Sequence, residues 1–146
     1  MKKEETYKQA QDLAINNGYY SNKSVVFKCS YHVVFCPKYR RDVLVDGVDE
    51  RLKEIIEDLS SEIGFHILSM EIRPDHVHLL LDVDPQFGIH KVVKRIKGRS
   101  SKILRDEFPH LKSRIPTLWT NSYFCTTTGG SSLDVVKQYV EMQKSV

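Results

Sequence analysis

The sequence predicts an α+β fold, a ferredoxin-like split βαβ (RRM-like) antiparallel sheet with one additional C-terminal helix. Three observations predict it. Strand-like and helix-like stretches follow the order strand, helix, strand, strand, helix, strand, helix. The second and third strands are separated only by Arg73-Pro74-Asp75, a turn that makes them a hairpin. The whole chain is 146 residues, the size of one domain. Such a sheet has one face covered by two helices and the other open to a ligand.

Residues 1–24 read as an N-terminal extension and 25–146 as the domain. Glu4 to Ile15 has the makings of a short helix that Asn16-Asn17-Gly18 would end, and Tyr19 to Lys23 reads as a linker. Val25 to Cys36 is rich in β-branched and aromatic residues and predicts one long strand. Its greasy face carries Phe27, Tyr31, Val33 and Phe35, and its mixed face Lys28, Ser30, His32 and Val34. Pro37 ends it and leads into Lys38, Arg40 and Arg41. Leu52, Ile55, Ile56, Leu59 and Ile63 recur at helical spacing over Asp49 to Ile63, and Gly64 suits the helix end. Phe65 to Ile72 and His76 to Val83 form the hairpin. Ile89 to about Phe108 is a second helix with Ile89, Val92, Val93, Ile96 and Ile103 on its apolar side. Leu118 to Thr128 predicts a fourth strand, Gly129-Gly130-Ser131-Ser132 a flexible joint and Leu133 to Lys144 a last helix.

Composition narrows the class. With 40% hydrophobic and 28% charged residues the chain is an ordinary globular protein, and its net charge of +3 is only a mild basic bias. No apolar run approaches the ~18 residues of a membrane span, and the N-terminus lacks the apolar stretch of a signal peptide. Three cysteines, Cys29, Cys36 and Cys125, form no disulfide framework, which points to the reducing cytoplasm. Structural zinc on Cys29, His32 and Cys36 conflicts with strand alternation, which turns Cys29 away from the other two. His66, His90 and His110 have no partner spacing and read as surface residues.

His76-Val77-His78 carries the chemistry. Alternation puts both imidazoles on one face, opposite the apolar Val77, Leu79, Leu81 and Val83, and imidazoles at i and i+2 can share a divalent ion. Polar residues on an exposed sheet face also occur without any function, so the pair needs partners. On the last helix Tyr139 and Gln143 stand four apart on one side. A phenol is a poor nucleophile at neutral pH unless activated, and a divalent ion on a phosphate makes that phosphate a better electrophile. Gln143 offers an oxygen to complete such a site. Core packing beside Val136 and Val140 explains Tyr139 equally well.

Three runs occur together: Tyr31-His32-Val33-Val34-Phe35-Cys36-Pro37-Lys38-Tyr39-Arg40-Arg41, Pro74-Asp75-His76-Val77-His78-Leu79-Leu80 and Gln138-Tyr139-Val140-Glu141-Met142-Gln143. In this order they closely resemble the single-tyrosine HUH transposases of small bacterial and archaeal insertion sequences, the superfamily of the REP-associated tyrosine transposases. The resemblance spans roughly Val25 to Lys144. It implies that His76, His78 and Gln143 ligate Mg²⁺ or Mn²⁺. It implies that Tyr139 forms a 5′-phosphotyrosine link and frees a 3′-hydroxyl. It implies a homodimer with active sites shared between chains, acting on single-stranded DNA with hairpin ends, and a mobile joint at Gly129-Gly130. A domesticated relative that processes repeated hairpins, or a non-catalytic nucleic-acid-binding module, are the competing readings. The module is disfavoured because the central strand displays histidines where a stacking sheet displays aromatics.

DNA contact falls to Lys38, Arg40 and Arg41 at the end of the first strand, to Lys28 and His32 on its mixed face, and to Lys94 and Lys97 in the basic second helix. That helix's run of cations is more usually a solvated face, with phosphate contact the alternative. Tyr39 and Tyr123 are candidates to stack bases, while Trp119 is better suited to the core.

Overall fold

A computed structural model describes residues 17–127 and 133–146. The helix expected over Glu4–Ile15 and the Gly129-Gly130-Ser131-Ser132 joint lie outside the described residues. The elements are β1 (Tyr20–Ser21), β2 (Val26–Phe27), β3 (Ser30–Phe35), a 3-10 turn (Lys38–Arg40), α1 (Val48–Ile63), β4 (His66–Arg73), β5 (His76–Asp82), α2 (Ile89–Glu107), α3 (His110–Arg114), β6 (Phe124–Thr127), α4 (Leu133–Met142) and a closing 3-10 turn (Gln143–Ser145). The main sheet has the order β4-β5-β3-β6 with every pair antiparallel. Each helical crossover skips one strand, which is the split βαβ arrangement the sequence predicts.

Periodicity explains the layers. Every second residue of β3 and β5 enters the core: Val33, Phe35, Val77, Leu79 and Leu81 are fully buried. Leu52, Ile55, Ile56 and Leu59 of α1 and Val92, Val93, Ile96 and Leu104 of α2 close over them. Gly64 ends α1 at φ 98°, its amide bonded to the Ser60 carbonyl at 2.8 Å, a conformation costly for a residue with a Cβ. Leu79 is 0% exposed at the centre of this core. Replacing Leu79 by Ala is expected to cost about 2–5 kcal/mol, read as a lower midpoint in urea unfolding with an unchanged slope.

The expected Val25–Cys36 strand is two pieces, and the cause is a side chain. The carboxylate of Asp82, 1% exposed, accepts hydrogen bonds from the Cys29 amide at 2.8 Å and the Ser30 hydroxyl at 2.9 Å. These interrupt the run at Lys28-Cys29, so β2 pairs with β1 and only β3 joins the main sheet. The stretch read as a linker therefore supplies a strand. The fourth strand is also shorter than Leu118–Thr128. Trp119 makes an isolated bridge to Pro37, and regular pairing begins at Phe124. Between them, the Lys97 ammonium draws in the carbonyls of Thr120 at 2.6 Å and Ser122 at 3.0 Å, which takes them out of a ladder. Trp119 is a core residue, edge-on to Phe35 with its ring N–H donated to Ser100 at 2.9 Å.

Candidate active site

On β5 the residues between the core positions are His76 and His78, both half-buried on the face away from α1 and α2. His78 sits in a cross-strand row: Glu71 of β4, His78, Val34 of β3, then Phe124 of β6. Nε2 of His78 lies 3.2 Å from Nδ1 of His32. Burial first, and then the neighbouring His32, hold the His78 imidazole below its ordinary pKa. It is therefore neutral at pH 7, the form that can ligate a metal. Nδ1 of His76 lies 2.8 Å from Oδ1 of Asp75. A ring N–H donated to that carboxylate leaves Nε2 as a free lone pair.

The terminal helix covers the other end of this face. Val34 and Cys36 are fully buried although they point away from the core, and α4 packs against β3. Burial pushes the Cys36 thiol up to about 12, so it is neither a nucleophile nor a metal ligand here. The Tyr139 ring packs on Phe124 with centroids 5.5 Å apart, and its hydroxyl is 2.9 Å from Oγ of Ser122. Ser122 also donates to Oε1 of Gln143 at 3.2 Å, and Gln143 is 6% exposed. Burial raises the Tyr139 phenol above its ordinary pKa against an opposing pull from the Ser122 hydrogen bond. Phe124 stands two strands from His78, roughly 10 Å at ordinary strand spacing. Tyr139 and Gln143 are thus together, on the same sheet face as the histidines and displaced along it.

Arg40 joins the two halves. Its Nε is 3.1 Å from Oδ2 of Asp75, and its Nη1 is 3.0 Å from Oε2 of Glu141 on the tyrosine helix. The turn that holds it is strained: Tyr39 and Arg40 have φ of 59° and 49°. Left-handed backbone at a non-glycine residue costs of order 1–3 kcal/mol and persists only when the surroundings over-determine it. Here the Lys38 amide bonds to the Leu118 carbonyl at 2.8 Å and the Tyr39 amide to the Val146 carbonyl at 3.0 Å.

The other expected contacts scatter. Lys38 lies over the Tyr39 ring at 5.1 Å, and Arg41 is exposed beside it. Lys28 falls outside β3, 5.8 Å from the Tyr19 ring, and so does not share the His32 face. Lys94 is exposed on α2, on the helix side of the sheet. Lys97 is not a free surface cation, because burial lowers its pKa to about 8 and its ammonium is engaged by two carbonyls. Tyr39 is exposed, and the Tyr123 hydroxyl is 2.9 Å from Nδ1 of His90. His66 is half-buried and stacked on Tyr20 at 3.7 Å, a contact its spacing does not announce. Asp75, Ser122 and Glu141 were missed by the sequence reading. Only Asp75 had a signal, its place directly before His76.

Two imidazoles on one face suit a divalent ion as half of a ligand set. Among the described residues no group of three or more His, Cys, Asp or Glu side chains is disposed to hold a metal. Further donors would have to be oxygens of another kind, such as the Gln143 carboxamide.

Comparison with known proteins assigns the chain to a class of DNA-processing enzymes, the transposases. The family described as "Transposase IS200 like" matches residues 25–143, and the chain belongs to that family. It is 37% identical to the ISDra2 transposase TnpA of Deinococcus radiodurans over 123 residues, 83% of this chain and 88% of that one. It is 30% identical to the transposase for insertion sequence element IS200 of Salmonella typhimurium, with 81% of each chain covered. Among solved structures it superposes on a D. radiodurans protein assigned as a transposase with TM-score 0.78 at 37% identity, covering 85% of this chain and 97% of that one. It also superposes on a REP-associated tyrosine transposase bound to a REP hairpin, with TM-score 0.51, covering 84% and 68% of the two chains. At 13% identity this second likeness concerns the fold alone. Among the described residues no helix is long and apolar enough to cross a membrane.

Proposed function

We propose that this transposase cleaves and rejoins single-stranded DNA at hairpin-bearing element ends, with Tyr139 as nucleophile and a divalent ion, Mg²⁺ or Mn²⁺, held by His76, His78 and Gln143. The observation that carries the reading is a histidine pair and a tyrosine-bearing helix on one sheet face, bridged by Arg40. The Tyr139 oxygen forms a bond to phosphorus while the bond from phosphorus to the 3′ oxygen breaks. The phenol proton ends on the released 3′-hydroxyl. The phosphotyrosine conserves the bond, so an incoming 3′-hydroxyl reverses the step without external energy. The bound ion would polarise the scissile phosphate and offset its developing charge. His78, held neutral, and His76, with Nδ1 engaged by Asp75, are suited to ligate it. With its hydroxyl bonded to Ser122 and its ring on Phe124, Tyr139 would have to change surroundings to reach a phosphate held at the histidines. Lys38 and Arg41 are the proposed backbone contacts nearest this face, with His32 beside the histidine pair; Lys94 would serve only DNA that wraps onto the helix side.

The test is a cleavage assay on single-stranded DNA carrying the hairpin ends that flank the gene. A covalent protein–DNA band is expected with Mg²⁺ or Mn²⁺ and none with chelator; a band of equal strength in chelator would refute the metal requirement. The hairpin bound by the REP-associated relative supports this choice of substrate. A dimer is expected in light scattering, and a monomer that cuts at full rate would exclude shared active sites.

A further inference from the structure

We infer that Arg40 is a positioning residue that ties the docking of the tyrosine helix to the orientation of His76, an inference that rests on the reading of His76 as a metal ligand. Asp75 uses its two oxygens differently. Oδ1 meets Nδ1 of His76 at 2.8 Å, and Oδ2 meets Nε of Arg40 at 3.1 Å. A carboxylate pinned by a guanidinium cannot swing away from the ring it orients, so Nε2 of His76 stays aimed outward. The same guanidinium reaches Glu141 through Nη1 at 3.0 Å. Glu141 is two residues from both Tyr139 and Gln143, so it lies on the other side of the helix from them. Ser122 therefore grips the helix on its tyrosine side and Arg40 on its opposite side.

Bridging two carboxylates from two edges needs a planar fork of donors, which lysine does not have. The bridge is also pre-built. Arg40 is 18% exposed in its side chain and stands on a turn of two left-handed residues anchored by Val146. A coupling of this kind is reciprocal: whatever docks the helix steadies His76, and whatever fixes His76 favours the docked helix. This use of Arg40 differs from contact with a DNA phosphate, and the two make opposite predictions.

The test compares full-length wild type with Arg40→Ala, Arg40→Lys and Glu141→Gln. Mn²⁺ affinity is measured by electron paramagnetic resonance without DNA, amide hydrogen exchange is followed over residues 135–146, and hairpin binding is separated from the cleavage rate at saturating DNA. Arg40→Ala is expected to weaken Mn²⁺ binding about 10-fold, the lower end for an outer partner of a ligating histidine. It should speed exchange in the helix and, with DNA saturating and Mn²⁺ limiting, slow cleavage by a similar factor, with hairpin affinity and its salt dependence unchanged. Arg40→Lys should restore little of the rate. Glu141→Gln, at an exposed position, should speed helix exchange while leaving the fold intact. Weaker hairpin binding with a shallower salt slope and an unchanged saturated rate would make Arg40 a phosphate contact and overturn the inference. Mn²⁺ affinity and helix exchange both equal to wild type in Arg40→Ala would overturn it too. Wild type that binds no Mn²⁺ overturns the metal reading itself, and the link to His76 falls with it.

Discussion

Tyr139→Phe is expected to leave a folded protein that binds the hairpin and forms no covalent adduct at all. The change removes one oxygen. The ring keeps its packing on Phe124, and the Ser122 hydroxyl keeps Gln143 as an acceptor, so the fold should lose at most about 1 kcal/mol. The reaction loses its nucleophile. Strand cleavage should fall by at least about four orders of magnitude, equivalent to ~5 kcal/mol in the barrier. Denaturing gels with 5′- and 3′-labelled strands report both the adduct and the cut. A Tyr139→Phe protein that still produced a covalent band would assign the nucleophile to another residue, with Tyr123, exposed Tyr39 and the tyrosines of the first twenty residues the next to replace. The resting geometry adds a second expectation within this experiment. Because Tyr139 starts on Phe124 with its hydroxyl on Ser122, the adduct should form after a lag or with a rate that saturates in metal, as a helix rearrangement would produce.

His76→Ala is expected to abolish cleavage by a different route. Removing one of two imidazoles from the half-site should weaken Mn²⁺ binding by at least about 100-fold, beyond what loss of an outer partner costs. Hairpin affinity should stay within about threefold of wild type. His76 is half-buried on the open face and takes no part in the apolar core, so thermal stability should change little. Calorimetry with Mn²⁺ and a gel-shift with the hairpin separate the two effects. Cleavage by His76→Ala at the wild-type rate with metal present would remove the histidines from the mechanism. The pair of variants is informative together. Tyr139→Phe should keep full Mn²⁺ affinity and His76→Ala should keep the phenol, so each isolates one half of the site.

The strand order, both long helices and the two faces of β5 were legible because each rests on a period. Val77, Leu79 and Leu81 alternate with His76 and His78, and alternation alone decides which set is buried. The breaks were not legible because each is made by a side chain from a distant part of the chain. Asp82 interrupts Val25–Cys36 from 53 residues away, and Lys97 takes the carbonyls of Thr120 and Ser122 out of the fourth strand from α2. The pattern of a strand holds no record of such partners. The same limit applies to the cations. Lys97 and Arg40 stand in basic runs, and a run says that positive charge is present without saying what already neutralises it. Ser122 lay inside a segment read as strand, where a serine is unremarkable, and only the fold brings it to Tyr139.

The turn at Tyr39 and Arg40 has a consequence for how this chain can change. Both residues hold a backbone conformation that glycine or asparagine adopts more readily, so the position is a standing opportunity for stabilising substitution. Glycine at position 39 would adopt this backbone without the steric cost. The hinge so created would loosen the guanidinium's aim, because glycine gains its ease by widening the range of angles available. At these two residues, backbone ease and a fixed aim for the guanidinium are opposed.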